Sequence, residues 1–340
     1  MKYIKTVGIL AVALLLSSCI TMTGSSSRRP GWMDDKYSLY PEDDYMVEIG
    51  QGASLKDAKR NAAASLAQIF KTSIKVETTV QTRYKELSSG GSIQASEETS
   101  FDENITQLAD QELINVNFGE SWTNELGQVH VIAYIDRQMT AQIYRGRIQE
   151  NDQTIRSFLG RFEVESSRLR QYAYLDAAYV VAQANRVLKE QLEIINLMMS
   201  RTVMLTYDLD DIRNSRRETA QNMSFRIFIE NDDEGKVEAL IAEELTSLGF
   251  TLDPLGLLSV QGALSLEKVE LDNKYENLKY YLKIDITDEH GSPVVSLEEN
   301  DRVSALSDSD VRNRAYVEME KALKKELVGK LVKYFDSFVQ

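Results

Sequence analysis

In residues 31–136, the apolar positions first follow the two-residue period of a strand and then the 3.6-residue period of a helix. Tyr45 to Ile49 predicts a short strand. Ser54, with Asp57 three residues later, predicts the capped start of a helix. The apolar residues of this helix recur at helical spacing and predict its buried face: Leu55, Ala58, Ala62, Leu66 and Ile69.

The pattern then returns to strands. Alternation from Ile74 to Val80 predicts a half-buried strand, and residues 88–98 read as a polar loop. Residues 101–112 fit a helix or irregular structure equally well. Leu113 to Trp122 and Gln128 to Asp136 predict a hairpin that turns at Glu125-Leu126-Gly127. We therefore predict one α+β domain over residues 31–136.

Residues 137–221 are predicted to be mainly helical. Positions that step by four and three form a seam with one polar interruption: Ala177, Val181, Ala184, Leu188, Gln191, Ile195 and Met198. The preceding segment offers a matching stripe: Ile148, Ile155, Leu159 and Phe162. These patterns predict a two-helix hairpin that links two domains and packs on its neighbours. A partner-binding or self-associating helix pair is the alternative.

Residues 222–340 are predicted to form a second α+β domain. Ser224 to Ile229 predicts a strand, and Val237 to Leu248 predicts a helix that ends at Gly249. Further strands are predicted from three runs: Leu258 to Leu266, Tyr280 to Ile286, and Val294 to Val295 after a turn at Gly291. Ser307 predicts the cap of a long final helix. No parallel Rossmann unit is expected, so the predicted fold class is α+β: two small helix-on-antiparallel-sheet domains joined by a helical hairpin.

Residues 1–18 predict a secretion signal. Lys2 and Lys5 give a positive start, and Val7 to Leu16 is an apolar run too short to span a bilayer. The run leads into Leu16-Ser17-Ser18-Cys19, which resembles the lipobox of bacterial lipoproteins. That resemblance implies that Cys19, the single cysteine of the chain, is lipidated and becomes the first mature residue. An ordinary cleaved signal with an incidental cysteine is the alternative.

The polar residues 19–30 predict a lipidated tether, and folding is expected to start near Trp32 or Tyr37. Two or more acyl chains on Cys19 would hold the chain on a membrane almost permanently. Ile20 stands where an aspartate would retain a lipoprotein at the inner membrane, by analogy with the enterobacterial sorting rule. The outer membrane is therefore the predicted location.

The charge of the chain argues against nucleic acid as a partner. The formal net charge is −14, and loss of Lys2 and Lys5 with the signal takes it to −16. Such a surface repels DNA, RNA and anionic headgroups, and no basic run compensates locally.

Gly50 and Gly52 open the strand-to-helix turn as a dinucleotide-binding loop would. The third glycine of that motif is replaced by Leu55, however, and no acidic residue or P-loop lysine follows at the required place. We therefore predict a structural turn rather than a phosphate site, and no cofactor.

The sequence contains no group of residues with the spacing of a known metal site or catalytic motif. His130 and His290 lack a second ligand at metal spacing, and each is predicted to be a solvent-exposed strand or turn residue. An EF-hand-like run fails because its twelfth position is Ile241; its acidic residues are Glu230, Asp232 and Glu234. We predict that this turn caps the following helix. No Gly-x-Ser-x-Gly elbow occurs, so a non-enzyme is expected.

Several residues of the first domain together resemble the LPP-twenty family of bacterial membrane-associated lipoproteins. They are Pro30-Gly31-Trp32, Tyr45, Gly50, Gly52, Ala53, Asp57-Ala58, Ala62, Leu66-Ala67-Gln68 and Ile74, with Trp122 and the strand from Val129 to Tyr134. The resemblance covers roughly residues 30–136. Similar domains occur at the start of flagellar assembly protein T and in lipoproteins around the flagellar motor, and the family brings no catalytic residues.

The predicted function is that of a lipid-anchored outer-membrane lipoprotein with a structural or scaffolding role in the cell envelope, near a flagellar or secretion assembly. Its expected partners are the membrane, through acyl chains such as palmitate on Cys19, and other envelope proteins; self-association is a further option. The periplasmic face is favoured. The alternatives are a surface-exposed adhesin or ligand-binding lipoprotein and, less favoured, an envelope hydrolase that uses paired carboxylates.

Overall fold

The computed structural model describes residues 28–71, 78–89 and 114–339. The predicted signal, most of the tether with Cys19, residues 74–77 of one predicted strand and residues 90–113 lie outside this range. The described residues separate into two compact units. The first contains residues 28–71 and 114–137, and the second contains residues 78–89 and 138–339.

The first unit is a three-stranded antiparallel sheet with a helix on one face. Its elements are β1 (Tyr45–Gly52), α1 (Leu55–Lys71), β2 (Asn117–Thr123) and β3 (Val129–Asp136). The strand order is β1-β3-β2, so β3 lies in the centre. The helix after Ser54 and the β2–β3 hairpin are thus confirmed.

The buried face of α1 differs from the predicted stripe at both of its ends. Ala58, Ala62 and Leu66 are fully buried as predicted, but Leu55 and Ile69 are 45% and 36% exposed. In the last turn of the helix the buried residue is Phe70 rather than Ile69.

Residues 31–44, which we call the strap, cover the other face of this sheet. The strap begins with a short 3₁₀ turn at Gly31–Met33, and Trp32 is buried in one cluster with Val47 and Ile132. Tyr40 stacks on Tyr134, with ring centroids 4.2 Å apart. Trp32, near which the folded part is predicted to start, is therefore packed against the sheet.

The second unit combines helices with a five-stranded sheet. Its helices are α2 (Thr78–Ser89), α3 (Arg137–Val164), α4 (Arg168–Ile195), α5 (Leu197–Thr202), α6 (Leu209–Gln221), α7 (Lys236–Ser247), α8 (Asp308–Ala322) and α9 (Val328–Asp336). Its strands are β4 (Ser224–Glu230), β5 (Thr251–Leu252), β6 (Leu258–Lys268), β7 (Glu276–Thr287) and β8 (Pro293–Ala305). The strand order is β5-β4-β6-β7-β8. The α+β fold class, with its helical hairpin α3–α4, is confirmed.

Two cores hold this unit together. In the first, Tyr172 of α4 packs on Phe250 and Phe335, with ring centroids 5.1 and 5.0 Å apart, so the hairpin shares the core of the C-terminal sheet. The second lies between α3 and α4, where Ile155 and Phe158 cluster with the alanine-rich face around Ala178. Ala177 and Val181 of the predicted seam therefore pack internally, whereas its last residue, Met198, is 71% exposed and lies in α5.

Two local predictions are wrong. Residues 78–80 belong to helix α2 rather than to a strand, because Tyr84 and Leu87 of this helix pack on the α3–α4 core. The sequence also predicts an antiparallel C-terminal sheet, but β4 pairs in parallel with both β5 and β6. Helix α7 provides the crossover connection that parallel neighbours need.

Candidate functional site

The predicted lipidation site, Cys19, lies outside the described residues, so it stays a prediction. The sites that sequence analysis considered inside the described range can each be placed. They fall at the β1–α1 turn, at the two histidines and at the acidic turn before α7.

The two glycines of the β1–α1 turn serve the packing of α1 on β1. A Cβ atom at Gly50 would overlap the backbone of Ala58 and of Ala62, and one at Gly52 would overlap Asp57 and Ala58. The α1 backbone therefore lies directly against the strand at the place where a bound phosphate would need room. The predicted structural role of this turn is confirmed.

The start of α1 is capped as predicted. The hydroxyl of Ser54 accepts a hydrogen bond from the backbone N–H of Asp57 at 3.2 Å and donates to the Asp57 carboxylate at 2.7 Å. This arrangement satisfies one of the free amides of the first turn. The Asp57 carboxylate also receives a hydrogen bond from Arg60 at 2.8 Å.

The two histidines differ in solvent exposure. His290 is exposed in the β7–β8 turn, as predicted. His130 is buried, which contradicts its predicted exposure, because its ring packs on Trp122 with centroids 5.5 Å apart on the face that the strap covers. Among the described residues, no group of three or more histidine, cysteine or carboxylate side chains is placed to hold a metal ion.

The acidic turn before α7 caps that helix, as predicted. The carboxylate of Asp232 accepts hydrogen bonds from the backbone N–H groups of Lys236 and Glu238, at 3.1 and 2.9 Å. Glu238 in turn accepts from the backbone N–H of Ile229 on β4, at 3.1 Å. Two carboxylates of this turn and helix, those of Asp232 and Glu238, thus accept hydrogen bonds from backbone N–H groups.

The most concentrated set of buried charges lies elsewhere, where four helices of the second unit meet. We call Arg83 of α2, Asp176 of α4, Arg216 of α6 and Asp336 of α9 the ionic cluster. Arg83 contacts Asp176 at 2.5 Å and Asp336 at 2.6 Å, and Arg216 contacts the second oxygen of Asp176 at 2.5 Å. The two Asp side chains are 3% and 9% exposed.

The electrostatics of the ionic cluster favour fixed charges. Burial alone would lower the pKa of Arg83, but the Asp176 and Asp336 carboxylates outweigh burial and raise it above its ordinary value. The pKa of Tyr172, which accepts a hydrogen bond from Arg216 at 3.1 Å, is raised by burial and by the charge of Asp176. A phenol and two guanidiniums that hold their protons this firmly are poor proton donors, so the arrangement suits a structural connection.

A neutral polar network continues this connection between α2, α3 and α4. Tyr84 donates to Asn151 at 3.1 Å, Asn151 donates to Asn185 at 3.3 Å, and Asn185 donates to the Tyr207 hydroxyl at 3.1 Å. Each buried amide in the network therefore has a partner, as buried polar groups require.

Sequence analysis missed the ionic cluster. Its members lie between 40 and 253 residues apart along the chain, so no local spacing reveals them. The one usable signal is Asp176, an isolated carboxylate within the apolar run from Tyr172 to Ala184. A charge in such a run predicts a buried partner.

A shallow depression of about 430 Å³ lies at the start of α6. It is lined by Gln183, Arg186, Asp208, Leu209, Asp210 and Arg213. Arg186 pairs with Glu190 at 3.0 Å, and Arg213 pairs with Asp210 at 2.6 Å. Because these charges cancel, the depression favours no class of ligand.

The first unit, which carries the β1–α1 turn, lies in a region that matches a known protein family. Residues 30–136 match the family model described as LPP20 lipoprotein, the family called LPP-twenty above. The LPP20 resemblance is thereby confirmed over this range, and it supports a membrane-anchored lipoprotein of the cell envelope. The LPP20 range includes α2, which packs within the second unit.

Three solved structures are similar to this chain at low identity. The secreted protein HP1454 of Helicobacter pylori is 13% identical, with a TM-score of 0.43, over 83% of this chain and 98% of its own. A minor lipoprotein of Acinetobacter baumannii is 12% identical, with a TM-score of 0.23, over 34% and 92%. Lipoprotein GNA1162 of Neisseria meningitidis is 8% identical, with a TM-score of 0.22, over 30% and 99%. No curated protein matches the chain.

No helix among the described residues is both long enough and apolar enough to cross a membrane.

Proposed function

We propose that the chain is a lipoprotein anchored to the outer membrane by acyl chains on Cys19, and that its folded units have a structural or scaffolding role without catalysis. The observation that carries the anchor is the Leu16-Ser17-Ser18-Cys19 sequence, placed eleven residues before a region that matches a lipoprotein family model. The apolar run before it is a suitable signal.

The scaffolding role is supported by how the second unit uses its buried charges. Arg83 and Arg216 are each bound to carboxylates on other helices, and they join four elements of the fold. Buried charges committed in this way fix the positions of these helices relative to one another, and a rigid unit suits a scaffold. Other envelope proteins are the proposed partners, with the periplasm as the proposed compartment.

The anchor is tested by expressing the full chain and a Cys19→Ala variant in a bacterium that processes lipoproteins, with a radiolabelled palmitate precursor. We expect the parent to carry label and to sediment with outer membranes, and the variant to lose both properties. Ser26→Ala, a change in the tether outside the lipobox, is the matched control. Continued labelling of the Cys19→Ala variant would refute the anchor.

The scaffolding role is tested by protease treatment of intact cells and by crosslinking in those cells followed by pull-down. A periplasmic scaffold is protected from the protease until the outer membrane is permeabilised, and it crosslinks to envelope proteins. Cleavage in intact cells would instead support the adhesin alternative. Turnover of peptidoglycan or glycans by the purified chain would contradict the absence of catalysis.

A further inference from the structure

Two exposed leucines lie at one end of the first unit. β1 and β3 pair Gly52 with Val129, so the residues after Gly52 and the β2–β3 turn extend past the same end of the sheet. Leu55 follows Gly52 and is 45% exposed, and Leu126 lies in the turn and is 85% exposed. Because neighbouring strands lie about 4.8 Å apart, the two segments emerge side by side.

The turn that carries Leu126 is rigid. The side-chain oxygen of Asn124 accepts hydrogen bonds from the backbone N–H groups of Leu126 and Gln128, at 3.0 and 2.8 Å. Gly127 takes the left-handed conformation, with φ of 79°, that closes the turn. The backbone therefore holds Leu126 at the tip of the hairpin, and little conformational entropy would be lost when this tip binds a surface.

The charges near this end are balanced. Asp57 is paired with Arg60 at 2.8 Å, which leaves Lys56 and Glu125 with opposite signs. Although the whole chain is acidic, this end would not be repelled by a lipid surface. Two leucines with a neutral polar surround suit the boundary between headgroups and acyl chains.

The proposed anchor keeps the first unit close to a bilayer. Trp32 is buried against Val47 and Ile132, and it follows Cys19 by thirteen residues in the sequence. Even a fully extended chain of thirteen residues reaches only about 45 Å. An eight-residue strand is about 26 Å long, so an anchor on Cys19 would keep the unit within about twice its own length of the bilayer. Such confinement raises the effective concentration of weak membrane contacts.

We propose that the end of the first unit formed by Leu55 and Leu126 rests in the headgroup region of the bilayer to which Cys19 is anchored. The bilayer is the proposed occupant of this apolar end, and the proposal rests on the lipid anchor proposed above. The contact would hold the unit against the membrane instead of leaving it free at the end of its tether.

The test uses the full lipidated chain in vesicles of equal parts phosphatidylethanolamine and phosphatidylglycerol. A Leu126→Cys variant is labelled with the environment-sensitive dye NBD, because Cys19 is the only native cysteine and lipidation blocks its thiol. The matched control is Leu39→Cys, since Leu39 is 48% exposed. It adjoins Tyr40, which packs on Tyr45 and Tyr134 towards the other end of the sheet.

We expect NBD at position 126 to emit further to the blue than NBD at position 39, and doxyl-labelled lipids to quench it several-fold more strongly. Adding Leu55→Asp should reduce this difference. Equal emission and equal quenching at the two positions would overturn the proposal. A blue shift at position 126 without lipid quenching would overturn it too, because a protein would then be the occupant.

Failure of the anchor is recognised separately. The parent chain without an introduced cysteine should take no NBD and should float with the vesicles. If it takes the dye and stays in solution, the lipid anchor is wrong, and the membrane contact that rests on it is overturned as well. If it floats unlabelled and positions 126 and 39 behave alike, only the contact at Leu126 is refuted.

Discussion

Replacing Arg83 with methionine is expected to destabilise the second unit strongly. The substitution removes the guanidinium that joins α2 to α4 and α9 but keeps a long aliphatic side chain in its place. Arg216 still neutralises Asp176, whereas Asp336 loses both of its hydrogen bonds to Arg83, at 2.6 and 3.3 Å. The Asp336 side chain is 9% exposed, so its charge is left buried.

The magnitude follows from the cost of an uncompensated buried charge. Removing one partner of a buried ion pair typically costs about 3–5 kcal/mol, because the remaining charge is still desolvated. We expect Arg83→Met to lower the free energy of unfolding of the second unit by about that amount. With an m-value in urea of about 2–3 kcal/mol/M for a unit of this size, the midpoint should fall by about 1–2 M.

Urea unfolding of the full chain can follow the two units separately. The two tryptophans, Trp32 and Trp122, both lie in the first unit, so their fluorescence reports that unit. Far-UV circular dichroism reports mainly the helices, most of which belong to the second unit. We expect Arg83→Met to move the circular dichroism transition and to move the tryptophan transition much less. The two signals must be fitted separately, since two units need not unfold in one step.

A double-mutant cycle and a surface control test whether the uncompensated charge of Asp336 causes the loss of stability. Asp336→Asn in the Arg83→Met background should recover part of the loss, with a coupling of about 1–3 kcal/mol. Arg186→Met, which breaks the exposed pair with Glu190, should cost only about 0–1 kcal/mol. If Arg83→Met costs no more than Arg186→Met, the ionic cluster does not hold α2 and the reasoning is refuted.

Two further predictions concern the first unit. Gly50→Ala should lower the free energy of unfolding of the first unit by about 1–3 kcal/mol, because the new methyl group overlaps the α1 backbone. Gly31→Ala is the control, since its methyl group enters open space. Equal melting temperatures of the two variants by tryptophan fluorescence would contradict this prediction. Burial, together with the charge of Glu120, raises the pKa of Tyr40 to about 12, so an alkaline absorbance titration should show a late-ionising phenol that Tyr40→Phe removes. Because the folded pKa lies above the unfolded value of about 10, the stabilisation is present below pH 10 and is lost as the pH rises towards 12; an unchanged titration curve in Tyr40→Phe would contradict the assignment.

Elements defined by local chemistry could be predicted from the sequence. The Ser54 cap, the turn at Gly127 and the cap at Ser307 depend on residues within a few positions of each other, and the structure contains all three. The predicted burial of Ala58 and Ala62 is also confirmed, and both residues lie close to Gly50 of β1. The burial of His130 could not be predicted, because strand alternation does not show that its ring packs on Trp122 of the neighbouring strand.

Helix α2 shows why local pattern fails where distant contacts decide. Its twelve residues are too few to form a stable helix alone in water, so its conformation depends on the surface to which it docks. That surface supplies Asp176 and Asp336, and the second of these lies 253 residues from Arg83 in the sequence. No window around residues 74–80 contains this information, and the apolar alternation there favours a strand.

The same contacts relate the family region to the rest of the chain. Arg83 lies inside the range that matches the LPP20 family model, yet both of its carboxylate partners lie beyond residue 136. A buried guanidinium needs such partners, because leaving it alone in an apolar environment is very costly. Residues 30–136 therefore contain the sequence of α2 but not the charges that hold it in place. The residues after position 136 thus supply the carboxylates that hold α2 in place.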